Sequence, residues 1–133
     1  MNEPQYFVEY HRQRACHPIV EQRTLANYAA LEHCDANEVS KVLTSFDRNE
    51  YYIKTPEGVT IGSFFLTAQC DMHHGNIAVL AAHWIDKPFR NDPAIHRLVV
   101  WYVKRFCKTL GLRKYQRTVN LSPSRQLLIT KEV

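Results

Sequence analysis

The chain has 133 residues, of which 45% are hydrophobic and 23% are charged, and its formal net charge is +4. This composition is typical of a folded globular protein and excludes a disordered or fibrous chain. No apolar run approaches the ~20 residues needed to cross a bilayer, so the sequence predicts no membrane span. Residues 1–5 have neither the basic start nor the apolar stretch of a secretory signal, and we therefore expect a reducing cytoplasmic setting.

Positive charge is concentrated in the second half of the chain. Residues 1–66 contain six basic and nine acidic side chains, whereas residues 67–133 contain eleven basic and four acidic ones. All eleven basic residues lie between Lys87 and Lys131, where Asp92 is the single acid. A field of this sign attracts anions, and it favours a phosphorylated ligand, nucleic acid or an acidic protein surface as the partner. A solvated basic face without any ligand explains the charge equally well.

The four cysteines, at positions 16, 34, 70 and 107, match no closely spaced zinc or redox motif. They are also too few for a disulfide scaffold. Neighbouring histidines at positions 17, 33, 73 and 74 leave zinc as an alternative, although structural zinc sites usually show paired ligands at tight spacing. We therefore predict free, buried thiols and no metal site.

No repeat, low-complexity tract or flexible linker divides the sequence, so we expect one domain over residues 1–133. Aromatic and β-branched residues over 5–10 predict a first strand, and a helical region is expected within 18–33. Asp35 followed by Glu38 resembles a capping box that starts a second helix. The apolar stripe of that helix comprises Val39, Val42, Leu43 and Phe46.

Three strands are predicted next. Residues 51–54 and 59–68 are joined by residues 55–58, which have the composition of a hairpin turn. Residues 76–85 are apolar at almost every position, as expected for a central strand that is covered on both faces. His83 interrupts this apolar run.

A long amphipathic helix is the clearest predicted element. Asp92 supplies the N-cap, Pro93 the first helical position and Gly111 the stop. One side of the helix is apolar and the other is basic. The basic face consists of Arg97, Lys104, Arg105 and Lys108. A strand over 115–121 follows, and residues 122–133 are left open as a helical or extended segment.

This order of elements, together with particular residues, resembles one family. Residues 79–90 are similar to a central strand and the ligand-binding loop that follows it, Leu110-Gly111-Leu112 to a helix exit, and Asn120 to an asparagine that many members carry. The resemblance is to the GNAT superfamily of acyl-CoA-dependent N-acyltransferases. It implies an α/β (α+β) fold with a mixed, mostly antiparallel central sheet flanked by helices. It also implies a divergent member that is shortened at its C-terminal end.

By the same resemblance, acetyl-CoA would bind where the family's fourth and fifth strands separate. The implied cofactor-binding residues are Trp84, Ile85, Lys87, Arg90, Asn91, Ala94, Ile95 and Asn120. In the family the loop after the fourth strand directs backbone N–H groups at the diphosphate, and small residues permit that close approach. This chain has Pro93 and Ile95 at the two small positions, and a proline has no N–H to offer.

Catalytic roles also follow from the resemblance. Members often deprotonate the acceptor amine with a histidine or carboxylate near the fourth strand, and His83 or Asp86 stands at such a position. The intrinsic pKa of histidine favours His83 as the base, with a structural core histidine as the alternative. Many members protonate the leaving thiolate with a tyrosine after the fifth strand, where Ser122 is the nearest hydroxyl in this chain.

Three functions therefore remain open at the level of the sequence. The first is an acetyl-CoA-dependent N-acetyltransferase. The second is a catalytically inactive GNAT-fold protein with a structural, assembly or interaction role, for example a small phage-encoded protein found in the virion or the host cytoplasm. The third is a nucleic-acid-binding protein that uses the basic helix face together with Arg113, Lys114 and Arg117.

Overall fold

The computed structural model describes residues 5–32, 35–122 and 125–133, and in these residues three α-helices flank a six-stranded sheet. The elements in chain order are β1 (Phe7–Gln13), α1 (Thr24–Glu32), α2 (Ala36–Leu43), β2 (Arg48–Lys54), β3 (Thr60–Asp71), β4 (Gly75–Ile85), a short 3-10 helix (Lys87–Phe89), α3 (Pro93–Leu110), β5 (Lys114–Ser122) and β6 (Arg125–Glu132).

The strands lie in the sheet in the order in which they occur along the chain. Every neighbouring pair is antiparallel except β4 and β5, which are parallel because α3 carries the chain back across the sheet between them. The predicted α/β fold, with a mixed and mostly antiparallel sheet flanked by helices, is confirmed. Within the segment that the sequence left open, residues 125–132 are extended, because β6 pairs with β5.

Local capping explains why the helices start and end where they do. The carboxylate of Asp35 accepts the N–H of Glu38 at 2.9 Å, and that of Asp92 accepts the N–H of Ala94 at 2.9 Å. Gly111 ends α3 with φ +69°, a left-handed conformation that glycine adopts without steric cost. The predicted helix starts and the predicted stop are therefore confirmed.

The apolar stripe predicted for α2 is wrong at two positions. Val39 and Leu43 are buried, whereas Val42 is 62% exposed and Phe46 lies beyond the end of the helix. At about 100° per residue, Val42 is turned about 60° from Val39 on the side away from Leu43. It therefore lies at the margin of the face that Val39 and Leu43 define.

Each face of the sheet has its own hydrophobic core. The core on the α3 side contains side chains from β2, β3 and β4 together with Ile95, Val99, Val103 and Cys107 of α3. The core on the other side joins Tyr52 and Phe65 to α1 and α2. Within the described residues, no helix is long and apolar enough to cross a membrane.

Of the described cysteines, Cys107 has the buried environment that was predicted, and Cys16 and Cys70 do not. Cys107 is buried on α3, and burial raises the pKa of its thiol. Cys16 and Cys70 are exposed free thiols, because Cys16 lies in the connection after β1 and Cys70 lies near the end of β3, where the core no longer covers the strand. Cys34 lies outside the described residues. In the part of the chain that is described, no group of three or more His, Cys, Asp or Glu side chains is arranged to hold a metal ion.

A buried ion pair on β2 fixes the long connection between β1 and α1. Arg48 Nη2 and Glu50 Oε2 are 2.8 Å apart, and neither side chain has solvent-exposed surface. Glu50 Oε1 also accepts the hydroxyl of Tyr52 and the N–H of Val20, while Arg48 Nη2 donates to the carbonyl of His17 at 2.7 Å. The pair therefore holds an irregular segment of backbone against the sheet.

Removing one partner of this pair is expected to destabilise the protein strongly. Glu50→Leu should lower the free energy of unfolding by about 3–5 kcal/mol, because it leaves the buried guanidinium without a counter-charge. Urea unfolding measures the effect. The double variant Arg48→Met/Glu50→Leu should recover part of the loss, because it removes the unpaired charge but leaves the hydroxyl of Tyr52 and the carbonyl of His17 without these partners. A single variant as stable as the double would contradict this account.

Candidate active site

β4 contains a β-bulge at Ala81. Phe65 of β3 pairs with Ala82, and the next residue, Leu66, pairs with Leu80, so that Ala81 has no partner on β3. An extra residue of this kind reverses the alternation of side chains between the two faces of a strand. The small side chains at positions 81 and 82 allow the backbone to bend here without a clash.

The bulge decides which face the last residues of β4 occupy. Leu80 packs with the core on the α3 side, whereas Trp84 packs with the core on the α1 and α2 side. His83 is directly opposite Phe64, a buried residue of the α3-side core. Because opposed residues of an antiparallel pair share a face, His83 lies on the α3 side of the sheet.

β4 and β5 separate just before the bulge. Their parallel ladder pairs residues 78–80 with residues 115–117 and extends no further in the described residues. Beyond this point the described residues show no pairing between residues 81–85 of β4 and residues 118–122 of β5, and we call the space between these two strand edges the cleft. Strand edges at such a cleft carry backbone N–H and C=O groups that need partners.

His83 lies on β4 beyond the last residue that pairs with β5. Desolvation, with smaller contributions from His96 on α3 and Arg117 on β5, lowers the pKa of its imidazole from 6.5 to about 4. Because His83 is exposed, screening by water makes the free-energy cost of charging the ring smaller than full burial would. The direction of the shift keeps the imidazole uncharged at neutral pH.

The loop after β4 is held by its own hydrogen bonds. The carboxylate of Asp86 accepts the N–H of Lys87 at 3.0 Å and caps the short 3-10 helix. Arg90 Nε donates to the carbonyl of Ile85 at 2.9 Å, and the Arg90 carbonyl pairs with His96 Nε2 at 2.9 Å. Arg90 is thereby fixed on the loop after β4, and its terminal guanidinium nitrogens have no hydrogen-bond partner within the described residues.

The N-terminus of α3 has few free backbone donors. Pro93 has no N–H, the N–H of Ala94 is bonded to the Asp92 carboxylate, and that of Ile95 is bonded to the Asp92 carbonyl at 3.2 Å. Of the N–H groups of residues 86–95, that of Asn91 alone has no acceptor within the described part of the chain. The loop therefore does not offer a backbone cradle for a diphosphate.

Asp92 also places a negative charge at this helix terminus. Its carboxylate accepts the hydroxyl of Tyr6 at 2.6 Å. That bond, with a smaller contribution from the N–H of Ala94, lowers the pKa of Asp92, so the carboxylate stays ionised at neutral pH. An ionised carboxylate here offsets the positive end of the helix dipole.

The remaining predicted site residues do not lie together in one place. Trp84 and Ile85 pack into opposite cores, while Lys87 and Asn91 are exposed on the loop. The basic face of α3 (Arg97, Lys104, Arg105 and Lys108) is exposed along the length of the helix. Asn120 and Ser122 belong to β5, but their side chains lie outside the described part of the structure.

Sequence reasoning did not connect the residues that shape this site. Tyr6 and Asp92 are 86 positions apart, so no local pattern connects them. Arg117 and His96 were not associated with His83, because that association depends on where β4 and β5 separate. The position of His96, four residues after the N-cap Asp92, is the one local signal that could have placed it in the first turn of α3.

The architecture is shared with solved acetyltransferases. The chain matches no protein-family model and no curated protein. A GNAT family acetyltransferase from Elizabethkingia anophelis, solved with acetyl-CoA bound, has a TM-score of 0.57 and 17% identity, over 86% of this chain and 67% of that one. A possible acetyltransferase from Clostridium difficile 630 has a TM-score of 0.55 and 14% identity, over 88% of this chain and 82% of that one. The fold is therefore GNAT-like.

The depressed pKa of His83 makes stability depend on pH in one direction. Between pH 6.5 and about 4 the unfolded chain holds a proton on His83 that the folded protein does not, so the thermal midpoint should fall as the pH is lowered through this window. Above pH 6.5 this contribution to stability is fully present. His83→Gln should remove this part of the dependence in thermal unfolding measured at several pH values.

The matched control is His73→Gln, since His73 is an exposed histidine on the turn between β3 and β4. It should leave the pH dependence of the thermal midpoint unchanged. Equal pH profiles for wild type and His83→Gln would show that the environment of His83 does not oppose protonation.

Proposed function

We propose that this protein binds an acyl thioester of coenzyme A in the cleft between β4 and β5 and transfers the acyl group to an amine. The observation that carries the proposal is the early end of the β4–β5 ladder, beside the bulge at Ala81, in a sheet of GNAT-like topology. The fold is similar to those of two acetyltransferases, one of them solved with acetyl-CoA bound.

The cleft suits the pantetheine arm of such a thioester. That arm contains two amide groups, and an open strand edge offers N–H and C=O groups with which amides can form strand-like hydrogen bonds. Residues 81–85 of β4 supply this edge on one side. The bound molecule would supply an activated acyl group, while the protein holds the arm extended between the strands.

Phosphate binding must rely on side chains in this protein. The backbone donors near α3 are engaged, and Asp92 repels an anion, so the loop fits a diphosphate poorly. Arg90 uses its Nε to hold Ile85, and the other guanidinium N–H groups can donate to a phosphate. Lys87, exposed on the same loop, adds a second positive charge.

His83 is the best placed proton acceptor. Its ring is uncharged at neutral pH, so a nitrogen lone pair can accept a proton; because the lowered pKa makes the ring a weak base, the proton it accepts is the acidic one on the amine nitrogen after that nitrogen has attacked the thioester. The neighbouring positive charge of Arg117 disfavours an ammonium ion in the cleft and favours the reactive neutral amine. The same charge stabilises the thiolate as it leaves. Asp86 is less suited, because its carboxylate caps the short helix.

The backbone N–H groups around Asp92 already have hydrogen-bond acceptors, and this favours a second candidate function. A GNAT-fold protein without a diphosphate cradle can serve as a non-catalytic interaction or assembly protein, using the fold as a scaffold. The two functions differ in one measurable property, because an interaction protein neither binds acetyl-CoA in the cleft nor turns it over.

Binding of acetyl-CoA should be detectable by thermal shift. At about 100 times its Kd, a ligand of the folded state stabilises by about 2.7 kcal/mol, which moves the midpoint by several degrees. S-acetylpantetheine, at an equal multiple of its own Kd, should give a shift of similar size. Its Kd should lie within about tenfold of that for acetyl-CoA, because the loop contributes little to phosphate binding.

Arg90→Ala should weaken acetyl-CoA binding and leave S-acetylpantetheine binding unchanged. Arg113→Ala removes an exposed arginine at the opposite end of β5 and should affect neither ligand. If millimolar acetyl-CoA produces no shift at all, the acyltransferase proposal is wrong and the interaction function is favoured.

His83→Gln should lower kcat for thiol release from acetyl-CoA by roughly a hundredfold, with a panel of primary amines as acceptors, because it removes the proton acceptor. The KM for acetyl-CoA should change little, since His83 is not proposed to bind phosphate. His73→Gln is the control and should retain full activity. Unchanged turnover in His83→Gln would exclude His83 as the base.

A further inference from the structure

A second concave surface lies on the same face of the sheet as α3 but at the other edge. α3 packs over β3, β4 and β5 and also against Tyr51 of β2, which is buried, whereas Tyr10 and Arg12 of β1 beyond it are exposed. Tyr10 is paired with Tyr51, and Arg12 with Asn49, so these four side chains share the face that α3 covers only in part. Together with the side of α3 they line a groove of about 550 Å³, which we call the β1–α3 groove.

Two large aromatic rings in the β1–α3 groove are open to solvent. Tyr10 is 60% exposed and Trp101 is 53% exposed. The ring of Tyr10 is stacked on that of Tyr51, with centroids 5.8 Å apart and planes inclined by 25°. The ring of Trp101 meets Tyr102 edge to face at 4.8 Å. Each exposed ring is therefore supported from one side and presents its remaining surface to the groove.

Arginines stand beside both rings. Arg12 and Arg105 line the β1–α3 groove, and the guanidinium of Arg105 lies 5.2 Å from the centre of the Trp101 ring. The described residues that line this groove include no carboxylate. Flat apolar rings interleaved with cations fit a ligand that has both aromatic faces and negative charges.

The concave surface extends beyond the β1–α3 groove. A second groove of about 860 Å³ shares Arg12, Asn49, Phe106 and Leu110 with the first and adds Arg14. Its one lining carboxylate among the described residues, that of Asp47, accepts the N–H of Ala15 at 2.8 Å. Cations thus continue along the same path, as a chain of phosphates requires.

We infer that the β1–α3 groove binds single-stranded nucleic acid. Bases stack on Tyr10 and Trp101, and the phosphates between them contact Arg12 and Arg105. An acidic polypeptide matches the charge of the groove, but its Asp and Glu side chains have no flat rings to cover the exposed aromatic faces, whereas every nucleotide carries both a phosphate and a base. The sequence assigned nucleic-acid binding to the outer basic face of α3, whereas the structure brings one residue of that face, Arg105, beside exposed aromatic rings.

The inference is tested by the fluorescence anisotropy of a labelled oligo-dT measured against salt concentration. Single-strand affinity falls with a log–log salt slope of about 0.7 per phosphate contact, so Arg105→Gln should reduce the slope by about 0.7. Arg113→Gln removes an equal charge outside the groove and should leave the slope unchanged. Equal changes in the two variants would show general charge attraction and overturn the inference.

Stacking is tested separately from charge. Trp101→Leu keeps an apolar side chain but removes the ring, and it should weaken oligo-dT binding roughly tenfold. Tyr10→Leu provides a second, independent variant. Because both side chains are exposed, neither substitution should change the thermal midpoint, and an unchanged midpoint shows that the fold is intact. An abasic oligomer of equal length and charge should bind wild type at least tenfold more weakly than oligo-dT.

Other occupants of the groove give distinct results. If polyglutamate displaces labelled oligo-dT as well as unlabelled oligo-dT does, the ligand is an acidic protein. If thymidine monophosphate displaces it at a comparable concentration, the ligand is a free nucleotide. Either result overturns the inference. Acetyl-CoA at 100 times its Kd should leave oligo-dT binding unchanged, because the cleft and the groove lie at different parts of the sheet. Displacement of oligo-dT by acetyl-CoA would contradict a separate site.

Discussion

The break in strand pairing at Ala81 determines the geometry of the candidate active site. With regular alternation along β4, Ala82 and Trp84 would face α3, and His83 would face α1 and α2. The unpaired residue reverses this arrangement, because side chains alternate between faces with a period of two. The same place marks the end of pairing with β5. One local irregularity thus opens the cleft and turns an imidazole toward it.

The loop beyond β4 has the position of a phosphate-binding loop but a different hydrogen-bonding pattern. Asp92 serves as N-cap for α3 and accepts the hydroxyl of Tyr6. Its carboxylate therefore occupies the N–H of Ala94 and offsets the positive end of the helix dipole. Helix termini attract anions when their N–H groups are free. The exposed cations Lys87 and Arg90 are then the groups on this loop suited to an anionic ligand.

Much of the fold could be predicted from the sequence because its signals are local. Asp35 with Glu38, and Asp92 with Pro93 and Gly111, specify helix boundaries through bonds that span only a few residues. The site was less predictable. Neither the bulge in β4 nor the contact between Tyr6 and Asp92 has a local signature, and the exposure of Trp101 depends on how far α3 extends across the sheet.

The buried guanidinium of Arg48 has a consequence for dynamics. It donates to the main-chain carbonyls of Arg14, His17 and Phe46, which lie in irregular backbone on either side of α1 and α2. Irregular segments usually open locally and exchange their amide hydrogens quickly. Here the irregular backbone is tied to an interior strand of the sheet, so the amide of Val20, bonded to Glu50, should exchange more slowly than the unbonded amides of the same connection.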